Sequence, residues 1–397
     1  MGKHVIFLGA GASKASCYPV ASDLRLLLSS KHHFESWMWK CFPGNREAVN
    51  LALKHFSTFE SSVMLFRNGG FASVDEFCRL VSGQDRRVEV EHMRLLTRAV
   101  LGALNPEDEF ESLGQYPFVQ SEYYPLVQKL FCEDLKSLYE GVSILSFNYD
   151  PYLEFLLRRA WAIRNGGLPD SDIGNSITSG FHNYQDAAWA KPDKRRLYLL
   201  KLHGSICEFV VRPGVTTELL FESSQKERAA ALFDQNNVGI VPPIIFPWEI
   251  LDEHHNFKNT HFPLRSDQYY FNLFVSIWER AQKEVLAADK ISFVGLSMHE
   301  YLKLGFRYLF QGKKGRVQVV VANVLNDRFR EGYRTGYQLH PNSPCRRVFD
   351  LLAEVTEKKL ICDYSDLDRA TIVNQPNNQG QRVTARYSFA DFIEHEL

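Results

Sequence analysis

The chain has 397 residues, of which 45% are hydrophobic, 13% aromatic and 23% charged. That composition belongs to a folded protein of one elaborated domain or two to three domains of roughly 150 residues, and it excludes disorder as the dominant state. With 46 Lys and Arg against 47 Asp and Glu, the formal net charge is -1. No global basic field draws the chain onto nucleic acid, so direct nucleic-acid binding is not expected.

The first element is His4-Val5-Ile6-Phe7-Leu8, an apolar run that ends in Gly9-Ala10-Gly11-Ala12-Ser13. The pattern predicts strand, glycine turn and helix start. Lacking a cationic leader, it reads as a first strand and not as a signal peptide. No apolar run approaches the ~18 residues of a membrane span, and a cytoplasmic setting is expected. Cys17, Cys41, Cys78, Cys132, Cys207, Cys345 and Cys362 are widely spaced, with no Cys-x-x-Cys. A disulfide framework and a zinc ribbon are both disfavoured, and no metal is expected.

From about residue 20 to 140 the texture is helical. Leu24, Leu27 and Leu28 share a helical face, and Ser73-Val74-Asp75-Glu76 has the spacing of a capping box, followed by Phe77, Leu80 and Val81. Trp37, Trp39 and Phe42 read as core of this stretch, with a self-association surface as the alternative. Strand character returns at Val142–Phe147, after which Asp150 and Pro151 suit the N-cap and first position of a helix. Residues 165–195 read as a long loop. Leu197–Leu202 is the next strand, ending at His203-Gly204-Ser205, and residues 206–270 give no clear pattern. Lys290–Val294, Gly295-Leu296-Ser297, a helix through Tyr301–Phe310 and a strand at Val317–Val321 complete a β-α-β unit. Past residue 325 the chain is charged, with a loop at Asn374–Gly380 and a short helix at Phe389–Leu397. Apolar strands followed by helices predict an α/β fold: a Rossmann-like parallel sheet with helices on both faces and a large helical insertion. The expected division is 1–20 with 141–330 as the α/β domain, 21–140 as the insertion and 331–397 as an extension that completes or flanks the sheet.

In open α/β sheets ligands bind beyond the carboxyl ends of the strands. Four such ends carry polar signatures here: Gly9–Ser13, Ser146–Asp150, His203–Ser205 and Gly295–Ser297. The glycine turn and the helix start after it suit a phosphate, with a tight strand-to-helix turn as the plain alternative. A dehydrogenase fingerprint would want a third glycine where Lys14 stands, which disfavours hydride transfer. Asn148 offers donor and acceptor to a ribose or a water. Asp150 is either a site residue or a helix cap. His203, with an ordinary pKa near ~6.5, suits a general base, with a purely structural histidine as the plain alternative.

Taken together, Gly9–Pro19, Ser146-Phe147-Asn148-Tyr149-Asp150, Leu202-His203-Gly204-Ser205, Pro242–Phe246, Gly295-Leu296-Ser297 and Val321-Ala322-Asn323 resemble the ordered motifs of the sirtuin family. The chain departs from the family's protein deacylases. It has no four-cysteine zinc module, Cys17 replaces a loop glycine, the Phe-Arg after the loop is missing, and Phe246-Pro247-Trp248-Glu249 stands for Phe-Gly-Glu. That pattern is similar to the bacterial sirtuin-like effectors of anti-phage defence. The resemblance implies an NAD+ nucleosidase that hydrolyses the nicotinamide–ribose bond, with NAD as substrate. Asn148, His203 and Asp150 would form the catalytic group. Gly9, Ala10, Gly11, Ser13 and Ser297 would hold the diphosphate, with Pro19 and Gly295 in the same binding loops and Asn323 on the adenosine ribose. It also implies a homo-oligomer gated by a partner, either a hexameric DNA-translocating ATPase or an Argonaute-type protein. A zinc-free deacylase and a non-catalytic NAD or ADP-ribose binding module are the alternatives.

Overall fold

The computed structural model describes residues 2–13, 18–82, 84, 86–104, 123–130, 141–150, 152–154, 156–157, 160, 177–178, 197–206, 224–233, 244–257, 268–296, 298, 300–322, 344–356 and 360–363. Among these residues, strands β1 (His4–Leu8), β2 (Val142–Ser146), β3 (Ile177–Thr178), β4 (Leu197–Lys201), β5 (Lys290–Val294), β6 (Gly315–Ala322) and β7 (Leu360–Asp363) form one sheet of order β3-β4-β2-β1-β5-β6-β7. Every neighbouring pair is parallel. Parallel strands covered on both faces need apolar side chains on both, which is why β1, β2 and β4 are wholly buried.

Successive side chains point to opposite faces. Ile6, Leu8, Ile144, Leu199, Val320 and Ala322 face one core. The helices covering that face include α2 (Ala21–Ser29), α3 (Lys31–Cys41), α4 (Arg46–Thr58), α5 (Glu60–Asn68), α6 (Val74–Ser82), α7 (Arg87–Ala103), α8 (Tyr123–Leu130) and α9 (Gln225–Phe233). The helical stretch between β1 and β2 thus shares a continuous core with the sheet. Val5, Phe7, Leu145, Leu200, Phe293, Val319 and Val321 face the other core, with α11 (Gln268–Ala287), α12 (Lys303–Phe310) and α13 (Pro344–Val355). Phe7 stacks on Phe293 at 5.0 Å between ring centres, and full burial of such a ring contributes about 2–3 kcal/mol.

The capping spacing at Ser73 is realised. Ser73 Oγ accepts from Glu76 N–H at 3.1 Å, and Glu76 reaches back to Ala72 N–H at 2.6 Å. Leu24, Leu28, Phe77 and Val81 are buried, while Leu80 is exposed. Phe42 is core, Trp37 donates its indole N–H to Val100 O at 2.8 Å, and Trp39 is exposed. Two strands lie where none is expected. β3 falls inside the stretch read as a loop, and β7, after α13, lengthens the sheet beyond β6. The loop at 374–380, the helix at 389–397 and Pro151 lie outside the described residues.

Candidate functional site

From β1 the chain crosses to β2, β4 and β3 on one side, and β5, β6 and β7 lie on the other. The switch point is therefore between β1 and β5, and the loops after those strands bound the crevice where such sheets take ligands. The two loops touch. Gly9 N–H donates to Val294 O and Gly11 N–H to Gly295 O, both at 2.9 Å. A Cβ on Gly9 would lie 2.5 Å from Leu296 Cα, and one on Gly11 would lie 2.8 Å from Gly295 O. Gly295 itself sits at φ +58°, with no room for a Cβ beside Ala12 N. These glycines therefore set the close approach of two backbones, and the N–H groups of Gly9 and Gly11 are already engaged. Ala10 opens a short helix, α1 (Ala10–Ser13), and is exposed, while Pro19 is buried just ahead of α2.

Asn148 and His203 each stand two residues beyond the last registered pair of β2 and β4, Ser146 with Lys201. The register places them just past the ends of two neighbouring strands. Asn148 is 5% exposed. Its Nδ2 donates to Ser13 Oγ at 3.0 Å, Ser13 Oγ is 2.9 Å from Tyr123 OH, and Asn148 N–H donates to Ser146 Oγ at 3.1 Å. Asn148 Oδ1, although buried, accepts from no group among the described residues. His203 is 3% exposed and its Nε2 is likewise without a partner among those residues. Its ring is held by Phe147 at 4.9 Å, Tyr149 at 5.8 Å and Phe246 at 6.0 Å. Burial among these rings pulls its pKa down to about 3, well below the ordinary value on which a general base was expected.

Asp150 Oδ1 accepts from Tyr152 N–H at 3.3 Å, a helix-capping contact. Burial raises its pKa, and the nearby Lys201 ammonium and a hydrogen bond with Ser13 oppose that rise. Lys201, wholly buried, donates to Asp150 O and lies 3.0 Å from Glu154 Oε1. It ties the loop bearing Asn148 to the strand bearing His203.

Helices α6 and α7 reach the same place. Asp75 takes Tyr149 OH on one oxygen at 2.8 Å and Tyr301 OH on the other at 3.0 Å. Arg94 pairs with Glu249, whose other oxygen accepts from Phe246 N–H at 2.9 Å. Glu249 lies on the short helix α10 (Pro247–Ile250). Sequence reasoning missed Asp75, Tyr301, Arg94, Lys201 and Tyr123 as neighbours of the site. Of these, Lys201 alone carried a signal, a charge closing an apolar strand. Gly9, Ala10, Gly11, Ser13, Asn148, Asp150, His203 and Gly295 gather at the carboxyl ends of β1, β2, β4 and β5. Ser297 and Asn323 lie outside the described residues.

Among the described residues no group of three or more His, Cys, Asp or Glu could hold a metal ion, and no helix is long and apolar enough to cross a membrane. No protein-family model matches the chain, and no curated protein matches it.

Proposed function

We propose that the chain binds NAD across its strand ends and hydrolyses the bond between nicotinamide and ribose. The observation that carries the reading is a pair of atoms with no partner among the described residues, Asn148 Oδ1 and His203 Nε2, both buried just past the ends of the neighbouring parallel strands β2 and β4. An unmet buried polar atom costs about 1–3 kcal/mol, and a ligand that meets it recovers that energy. Three strand spacings separate β5 from β4, or about 14 Å, a span that a dinucleotide can bridge.

Nicotinamide in NAD is already cationic and leaves with the electron pair of the broken C–N bond, so no acid is required. Water forms the new C–O bond, and its proton is released. Asn148 Oδ1 would accept from a ribose hydroxyl or from that water, and His203 Nε2 would take the proton. At neutral pH the His203 ring is uncharged, the form able to accept one, and the negative charges of a diphosphate brought to the strand ends would raise its affinity for it. Asp150 and Lys201 fix the loop that carries Asn148. The diphosphate would lie over the crevice shaped by Gly9, Gly11 and Gly295, near Ala10. The sirtuin resemblance supports this assignment, and with it a defence effector whose activity awaits assembly with copies of itself or with a partner.

The low basicity of His203 favours one competing reading, a module that binds NAD or ADP-ribose without turnover. Purified protein incubated with NAD, alone and with its genomic neighbour and DNA, decides between them. Release of nicotinamide and ADP-ribose, falling at least ~100-fold in His203→Ala and Asn148→Ala, is the expected result. Binding of NAD with no nicotinamide release in any condition would establish the module instead.

A further inference from the structure

Among the described residues the His203 ring is packed by Phe147, Tyr149 and Phe246, and its Nε2 makes no hydrogen bond. No side-chain hydrogen bond aims its imidazole among the described residues, whereas a working imidazole is normally fixed by a bond from its other nitrogen. Two of the three rings around it lead back to the same helical stretch. Tyr149 lies against His203 and ends on Asp75. Phe246 is stacked on Trp248 at 4.5 Å, Trp248 meets the edge of Tyr301 at 5.9 Å, and Tyr301 also ends on Asp75. One carboxylate on α6 therefore joins the loop after β2 to the segment after β5, on either side of β1, and closes a circuit of aromatic contacts around the histidine. Burial holds both phenols far above their usual ionisation range, so they remain donors to Asp75 at any pH the fold survives.

We propose that Asp75 is a positioning residue of the strand-end site, which by holding the Tyr149 and Tyr301 hydroxyls fixes the rings that orient the His203 imidazole. The catalytic half of this proposal rests on the NAD-cleaving reading, and the positional half does not. It also gives the helical stretch a role at the site, because a displacement of α6 is passed to His203 through two aromatic routes.

The test uses the full chain with Asp75→Asn, Tyr149→Phe and the double variant. Tyr149→Phe keeps the ring and loses only the hydroxyl. Under conditions where the wild type releases nicotinamide, each single variant should lower kcat roughly 10- to 100-fold, the scale of a small misplacement of a reacting group. KM should change less than about threefold. The double variant should be no slower than the slower single one, because both break one path. Ring-current shifts supply a readout that needs no turnover. In histidine-labelled protein the His203 resonance, assigned by its loss in His203→Gln, should move in both single variants while the thermal midpoint stays within a few degrees. An unmoved His203 resonance in folded Asp75→Asn overturns the positioning role, whatever the activity, and wild-type kcat in both variants does the same. A wild type that releases no nicotinamide removes the reaction, and the resonance still decides whether Asp75 positions the ring.

Discussion

Two buried histidines lie at opposite ends of the sheet, and they differ in one atom. His4 opens β1 and His203 follows β4, and burial pulls both to a pKa of about 3, with Lys290 adding to the effect at His4. His4 Nε2 bonds Ser292 Oγ at 2.7 Å, whereas His203 Nε2 bonds no group among the described residues. Near the amino end Glu284 accepts from Ser143 Oγ–H and pairs with Arg280 and Lys3. The contrast teaches that burial alone does not distinguish a site histidine from a core histidine, and that the partner of Nε2 does. His55 on α4 shows why position matters as much as the unmet atom. Among the described residues neither of its ring nitrogens has a partner, yet it packs against Phe59 and against Phe233 of α9, between helices.

The same substitution at both positions separates the two ends most widely. His203→Leu should reduce nicotinamide release at least ~100-fold while leaving stability unchanged or raising it by up to about 1 kcal/mol, since it removes an unpaired polar atom. His4→Leu should leave turnover intact and lose about 1–3 kcal/mol, because Ser292 Oγ is left buried without its partner. Nicotinamide assays paired with urea unfolding check both, and a stability loss in His203→Leu equal to that in His4→Leu would erase the distinction.

A second substitution tests whether the crevice depends on the contact between the β1 and β5 loops. Gly9→Ala puts a methyl 2.5 Å from Leu296 Cα and 2.6 Å from Gly295 O, backbone atoms that cannot swing away. The loops must separate, at a cost of about 1–3 kcal/mol, and NAD binding should weaken with them. Calorimetric titration beside urea unfolding measures the two effects together. Unchanged affinity would show that the loop contact does not shape the dinucleotide site.

What the sequence made legible follows the same division between ends. β1, β2, β4, β5 and β6 are readable because a strand buried on both faces must be a continuous apolar run. β3, two residues long in a polar stretch, and β7, four residues at the sheet edge after a charged helix, leave no such run. Asn148 and His203 are legible because polar residues at strand ends stand out against the strands. Asp75 is not, because a local motif already accounts for its surroundings. Ser73 and Glu76 make the helix start, and only the fold brings Asp75 to Tyr149, 74 positions on, and to Tyr301, 226 positions on.

The smallest expected effect is the one in which the two histidines should behave alike. Each has a folded pKa near 3 and an unfolded one near ~6.5, so between those limits the unfolded chain binds more protons than the folded one. The stability this provides is complete above pH 6.5 and is lost as the pH falls toward 3, with a slope of about 1.4 kcal/mol per pH unit for each group inside the window. Asp150 and Glu249, raised by burial, act in the opposite sense and flatten the total, and His55, lowered to about 4, adds to the loss. His4→Leu and His203→Leu should each flatten the curve of unfolding free energy against pH by one proton's worth, by the same amount, although one variant is active and the other is not. Urea unfolding from pH 7 to 5 measures it. A flattening in His4→Leu alone would mean that the His203 ring already finds a proton acceptor or water in the folded protein, and the unmet atom that distinguishes the carboxyl end would no longer be unmet.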